Sequence, residues 1–190
     1  MTDTADRRTL LADAAIETLA RSGLRGLTHR AVDQTAGLPE GSCSNHFRTR
    51  ESLLEAAVHR LAELDTDELA TEPLDNPAVD EVADILSNLV DRFITIDRDR
   101  MLARYELALE STRRTQLRTA LTDGGAQIRA LASHLFAELG APDPEVRAHA
   151  FVACIDGLIF DQLAGAGTTA DPYSQRLSEI IRILLRSFIS

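Results

Sequence analysis

The sequence predicts an all-α protein of about nine helices, and three observations carry that expectation. Apolar residues recur at three- and four-residue steps through most of the chain. Ala, Leu, Arg and Glu, which rank high in helix propensity, are abundant, while β-branched strand formers concentrate nowhere. Aromatic residues make up only 4% and Trp is absent, so the core must be drawn largely from Leu, Ile, Val and Ala. At 190 residues the chain suffices for one or two domains with a sizeable core.

The elements follow in order. From Arg7 to Arg21 the stripe Leu11, Ala14, Ala15 and Leu19 marks a first helix, which Ser22-Gly23 stops. Thr28 opens a short helix to about Thr35, its hydroxyl placed to cap the first turn. Ala36-Gly37-Leu38 forms a tight turn, and Pro39 suits the first turn of the next helix, expected to run to about Phe47. Thr49 caps a longer helix striped by Leu53, Leu54, Ala57, Val58, Leu61 and Leu64. An acidic stretch with Pro73 and Pro77 then separates organisational units. Beyond it, one stripe runs Val82, Leu86, Leu89, Phe93, Ile96, the next Met101, Leu102, Tyr105, Leu109, and a third Leu117, Leu121, Ile128, Leu131, Leu135. After the break at residues 140–144 a helix over about Glu145 to Ala164 is apolar on more than one face. A loop from Gly165 to Pro172 leads to a last helix carrying Leu177, Ile180, Ile181, Leu184, Leu185 and Phe188.

Composition excludes several functions. The net charge is −10, yet residues 1–60 balance eight Arg against eight acids, and the remainder holds 12 against 22. Only the N-terminal third can therefore approach a polyanion without strong repulsion. All 20 basic residues are Arg, which suits phosphate and guanine but equally reflects a genome's composition. No apolar run approaches the roughly 20 residues of a membrane span. The polar start, Met1 to Arg8, leads into an amphipathic segment rather than a secretory core. With Cys43 and Cys154 in no disulfide or metal spacing, the expected location is cytoplasmic. No phosphate-cradling Gly-rich loop, His-Glu-x-x-His or nucleophile elbow occurs, and the five His are scattered. The sequence thus predicts no enzyme, no cofactor and no metal site.

The segment that carries function is the pair 28–35 and 39–47, which has the dimensions of a helix-turn-helix. At about 100° per residue, Cys43 and Phe47 share one face of the second helix, while Gly41 with Asn45 and Ser42 with His46 form two rows roughly opposite. A slim polar face over an apolar back is what major-groove entry requires, because base edges present donors and acceptors. Asn45 can pair with adenine, and Ser42 and His46 reach bases or phosphates. Arg48 and Arg50 follow where they can grip the DNA backbone. Thr28, at a helix start, favours a phosphate.

The run Leu27-Thr28-His29-Arg30-Ala31-Val32-Asp33-Gln34-Thr35-Ala36-Gly37-Leu38, continued by Ser42-Cys43-Ser44-Asn45-His46-Phe47-Arg48-Thr49-Arg50-Glu51-Ser52-Leu53-Leu54, resembles the signature of the tetracycline-repressor (TetR) family. The resemblance covers about residues 8–60; the rest matches by architecture. It implies an N-terminal three-helix helix-turn-helix domain, residues 1–50, and a C-terminal helical effector-binding and dimerisation domain, residues 51–190. By position it implies a DNA-facing set of Thr28, Gly41, Ser42, Ser44, Asn45, His46 and Arg50, with Arg30 either in that set or simply solvated. Ser44 stands where many members carry an aromatic, and Arg50 where Lys is common.

The resemblance further implies a homodimer in which the last two helices meet their copies in a four-helix bundle. The expected interface is Ile155, Leu158, Ile159, Leu177, Ile181, Leu184 and Phe188, with Gly157 allowing close approach; the other reading of these residues is the protomer's own core. For an unknown small-molecule effector the candidate pocket residues are Phe93, Met101, Arg104, Tyr105, His134 and Phe160, in a mostly apolar cavity. Asp156 and Asp161 serve as pocket acids or as dimer hydrogen bonders. The expected function is a ligand-responsive transcriptional repressor that binds double-stranded DNA at a palindromic operator and is released by its effector. The alternative is a helical small-molecule-binding or interaction module without specific DNA binding.

Overall fold

The computed structural model describes residues 2–69, 77–167 and 173–190, and among these it contains nine helices and no strand. They are α1 (Thr2–Gly26), α2 (His29–Thr35), α3 (Ser42–His46), α4 (Arg50–Leu69), α5 (Val79–Ile94), α6 (Arg98–Ser111), α7 (Thr115–Glu138), α8 (Pro144–Leu163) and α9 (Tyr173–Ile189). Pro73 and the loop residues 168–172 lie outside the described residues. No described helix is long and apolar enough to cross a membrane.

The chain divides into two compact units, one from residues 1–67 and 99–125, the other from 68–98 and 126–190. The first therefore holds the whole helix-turn-helix together with nearly all of α4 and α6 and the start of α7, well beyond residue 50. Its core joins Leu11, Ala15 and Leu19 of α1 to Val32, Cys43, Phe47, Leu53, Leu54, Ala57, Val58 and Leu61, and also to Ala103, Leu107 and Leu117. Each fully buried Leu or Phe contributes about 1.5–3 kcal/mol. The short helices α2 and α3 are thus held by burial rather than by their own length.

Polar ties fix how α1 meets its neighbours. Arg60 Nε donates to Asp13 Oδ1 at 2.7 Å, and the Thr18 and Thr35 hydroxyls pair at 3.0 Å. At Gly23 α1 breaks (φ 61°, ψ −174°), where the sequence places its stop, and the Leu24 amide donates to Glu106 Oε2 of α6 at 3.3 Å. On α6, Asp65 of α4 accepts from both Arg100 and Arg104.

In the second unit α5 lays Val82, Ala83 and Val90 into the core, and α9 contributes Leu177, Ile181 and Leu185. Arg182 and Arg186 bind Asp80 and Asp84 along the rim of the same contact, at 2.9–3.1 Å. Phe151 of α8 stacks obliquely on Phe136 (5.2 Å between centroids) and edge-on to Phe188 (6.0 Å). Arg147 Nη1 donates to the Phe188 and Ser190 carbonyls, both at 2.9 Å, and so satisfies the open end of α9.

Three stripes differ from the sequence expectation. Ile96 lies past the end of α5 and is 80% exposed, while the small residues Ala83 and Ser87 take the buried phase. Leu109 and Leu131, expected inside, are exposed.

Candidate nucleic-acid interface

The helix-turn-helix is built from local signals and one long-range one. Thr28 Oγ1 accepts from the Ala31 amide at 3.1 Å, capping α2 as expected. Gly37, at φ 65°, closes the turn in a conformation a side chain disfavours. The next helix does not begin at Pro39: residues 39–41 form a further turn, with the Ser42 amide on the Pro39 carbonyl at 3.1 Å and Gly41 at φ 95°. α3 starts at Ser42 because Asp33, from α2, supplies its cap. The Asp33 carboxylate, 2% exposed, accepts from the Gly41 amide at 2.8 Å and the Cys43 amide at 2.6 Å.

The two faces of α3 are those the wheel predicts. Cys43 and Phe47 are buried, Ser44 and Asn45 are exposed, and Gly41, Ser42 and His46 are half-buried. Ser42 Oγ donates to the Pro39 carbonyl at 2.7 Å and Ser44 Oγ to the Gly41 carbonyl at 2.9 Å. Their lone pairs are left to accept from outside. Burial, and secondarily the Asp33 charge, push the Cys43 thiol up to about 11. It is a packing group, protonated at neutral pH.

The flanking cations separate into two kinds. Arg48 is exposed beyond α3, and Arg30 is exposed with Glu40 3.9 Å away. Arg50 is half-buried, and its guanidinium donates through Nε to the Leu27 carbonyl at 3.2 Å and through Nη2 to the Leu24 carbonyl. It stitches the α1–α2 connection to α4. Thr49 and Ser52 cap α4 reciprocally, with the Ser52 amide on Thr49 Oγ1 at 3.1 Å and the Thr49 amide on Ser52 Oγ at 3.3 Å.

Sequence reasoning missed three residues that grip α3. Besides Asp33, Arg8 donates through Nη1 to the His46 carbonyl at 2.9 Å while lying 4.5 Å over the Phe47 ring. His29 Nε2 donates to the Phe47 carbonyl at 2.6 Å, which fixes its tautomer because a carbonyl only accepts. The signal available was a charged residue, Asp33, in the inward phase of an otherwise apolar turn.

The effector candidates fall in both units. Met101 is buried in the first, where Arg104 is engaged by Asp65 and Tyr105 is half-buried; in the second, Phe93 is half-buried and His134 and Phe160 are exposed. None of them lines the cleft of about 270 Å³ in the first unit, which is bounded by Glu51, Leu54, Glu55, Arg114 and residues 115–117. There the Glu51 carboxyl is held below its usual range by its own backbone amide and by Arg114. Of the interface candidates, Ile159, Leu177 and Ile181 are closed off in the core of the second unit and have no surface left for a partner chain. Ile155, Leu158, Leu184 and Phe188 are half-buried, while Gly157, Asp156 and Asp161 are exposed.

Comparison with known proteins follows this geometry. Residues 77–189 match the model of the tetracyclin repressor-like C-terminal domain. No curated protein matches the chain. A TetR-family member from Streptomyces coelicolor A3 is 31% identical over 97% of this chain and 98% of its own, with a TM-score of 0.74. The multidrug binding protein EbrR, solved with malachite green, is 32% identical over 97% and 98%, with a TM-score of 0.70. A transcriptional regulator from Rhodococcus sp. Rha1 shares the fold at 22% identity, covering 95% of both chains with a TM-score of 0.77. Fold and motif together define an all-helical helix-turn-helix protein. The chain belongs to the TetR family of transcription regulators.

Proposed function

We propose that the protein is a ligand-responsive repressor that reads a palindromic operator as a homodimer. The observation that carries this reading is α3 itself, with Cys43 and Phe47 sealed behind it and Ser44 and Asn45 turned to solvent. In this account Asn45, Ser42, Ser44 and His46 meet base edges, Gly41 leaves room for the groove wall, and Thr28, Arg30 and Arg48 hold phosphates. The DNA-reading segment is residues 1–50, and residues 51–190 serve the effector and the dimer. Two copies of α3 set about one DNA turn apart, roughly 34 Å, read the two half-sites. EbrR has been solved with ethidium and with malachite green, which supports a small-molecule effector for this chain. Such a ligand releases DNA only by favouring a dimer form in which the two α3 helices are wrongly spaced.

The test is a footprint on the DNA flanking the protein's own gene, repeated across a salt series. A protected palindrome whose affinity falls steeply with salt is the expected result. An absence of sequence preference at every salt concentration favours instead a helical binding module, the reading to which the net charge of −10 lends weight.

A further inference from the structure

α3 is five residues long, far below the roughly 12–15 at which a helix begins to hold itself in water. Its direction is therefore decided by what grips its ends. Both ends are gripped by side chains from α1 and α2, and the Asp33 carboxylate and the Arg8 guanidinium carry the signs the helix dipole favours at their ends. At the N-terminal end the buried Asp33 carboxylate takes the Gly41 and Cys43 amides, and the Pro39 carbonyl takes the Ser42 amide between them. At the C-terminal end Arg8 and His29 donate to the His46 and Phe47 carbonyls. Arg8 also lies over the Phe47 ring, the anchor of the helix's apolar back.

We propose that Asp33, Arg8 and His29 are positioning residues that set the sequence specificity of α3 without touching a base, an inference that rests on the DNA-reading assignment above. Two consequences separate this role from simple structural support. Two of the amides that a phosphate would seek at the start of α3, those of Gly41 and Cys43, are already taken by an anion. That buried carboxylate repels a phosphate there, and the helix's contribution to affinity comes chiefly from base edges. Freed at either end, α3 swings relative to the groove, and contacts that depend on direction are lost. Phosphate contacts from Thr28 and Arg48 lie outside the helix and persist.

The experiment compares full-length wild type with Asp33→Asn and Arg8→Ala on two duplexes, one selected by the wild type from a random pool and one scrambled, across a salt series. Asn keeps the size of Asp33 but offers one acceptor where two amides need one each. Each variant is expected to lose roughly tenfold on the selected duplex and to stay within about twofold on the scrambled one, with the salt slope unchanged. A phosphate contact behaves differently: its removal weakens both duplexes and flattens the slope by about one. That outcome for Arg8→Ala, or equal losses on both duplexes for Asp33→Asn, overturns the proposal. Arg8 is exposed, so its variant keeps the test decisive even if Asp33→Asn fails to fold. Should the wild type select no sequence, the DNA-reading assignment itself falls; should it select one that the variants bind equally well, only the positioning role falls.

Discussion

Asn45 and Cys43, two positions apart on α3, face opposite ways, and each makes a separate prediction. Asn45 is exposed, in the row proposed to meet base edges. Its amide can bond bidentately to an adenine, so Asn45→Ala should reduce discrimination at one base pair per half-site by about 1–3 kcal/mol. Competition between duplexes that differ at a single pair measures this, and equal preference before and after the substitution refutes the contact. Cys43 is 0% exposed, and its thiol is pushed from 9.0 to about 11. An acid whose ionisation is held back by folding costs stability once the unfolded chain ionises. This thiol therefore costs nothing at neutral pH and removes on the order of 2 kcal/mol of stability as the pH climbs from about 8 toward 11. Denaturant midpoints at about pH 8 and about pH 10 should show the fall, and Cys43→Ala should reduce it. In the native protein a thiol reagent should modify the exposed Cys154 and leave Cys43 untouched until unfolding.

Among the elements, the joint between α1, α2 and α4 depends on Arg50. Its guanidinium holds the Leu27 carbonyl and, beside the Leu27 amide, the Leu24 carbonyl, where α1 ends and the connection to α2 begins. Arg50→Ala should lower the unfolding free energy by about 1.5–3 kcal/mol, with Arg50→Lys in between because an ammonium does not span both carbonyls. Urea titration reads this directly, and unaltered stability would return Arg50 to the DNA backbone. The same joint shows what is legible in a sequence. Thr28 and Gly37 act on their own neighbours, so both ends of α2 could be read from the local residues. The start of α3 could not, because its cap is Asp33, eight and ten residues upstream of the amides it binds, and nothing local outweighs Pro39. On α5 the period of 3.6 and the buried Val82 were visible, but the deepest positions after it were not. Ala83 and Ser87 are buried along with Val82 and Val90, and small side chains of this kind carry no periodic apolar signal. Ile96 is exposed because α5 ends before it, and Leu109 because the buried phase of α6 runs through Met101, Ala103 and Leu107. On α3 the wheel placed the apolar face, because two buried groups one turn apart, the small Cys43 and the large Phe47, fix the rotation of so short a helix.

For the whole molecule, the homodimer proposed above needs a surface for the second copy to cover. Ile159, Leu177 and Ile181 are consumed by the protomer, so the contact must lie on residues still facing water. α8 supplies them: Val146, Ala150, Ala153, Gly157 and Phe160 are all exposed and recur at alternating steps of four and three. That is the period of 3.5 with which one helix keeps facing another, and here it carries only apolar or very small side chains. Val146 is 70% exposed and Phe160 44%, an arrangement a lone protomer gains nothing from. A two-fold axis across this stripe would bring each α8 against its copy, with Gly157 at the closest approach. Within the protomer, a Cβ built on Gly157 meets nothing within 4 Å. Replacing this glycine by Glu therefore costs the protomer no packing and replaces a poor helix former with a better one. The dimer, by contrast, would have to bury two carboxylates against each other, at a cost of several kcal/mol. Gly157→Glu should accordingly sediment as a folded monomer with unchanged helicity. Its affinity for the palindrome should drop to that for an isolated half-site, because the second recognition helix is no longer tethered. Sedimentation at the wild-type dimer mass would place the two-fold contact elsewhere, and a wild-type protein that is itself monomeric at micromolar concentration would remove the spacing of the two α3 helices as the basis of effector release.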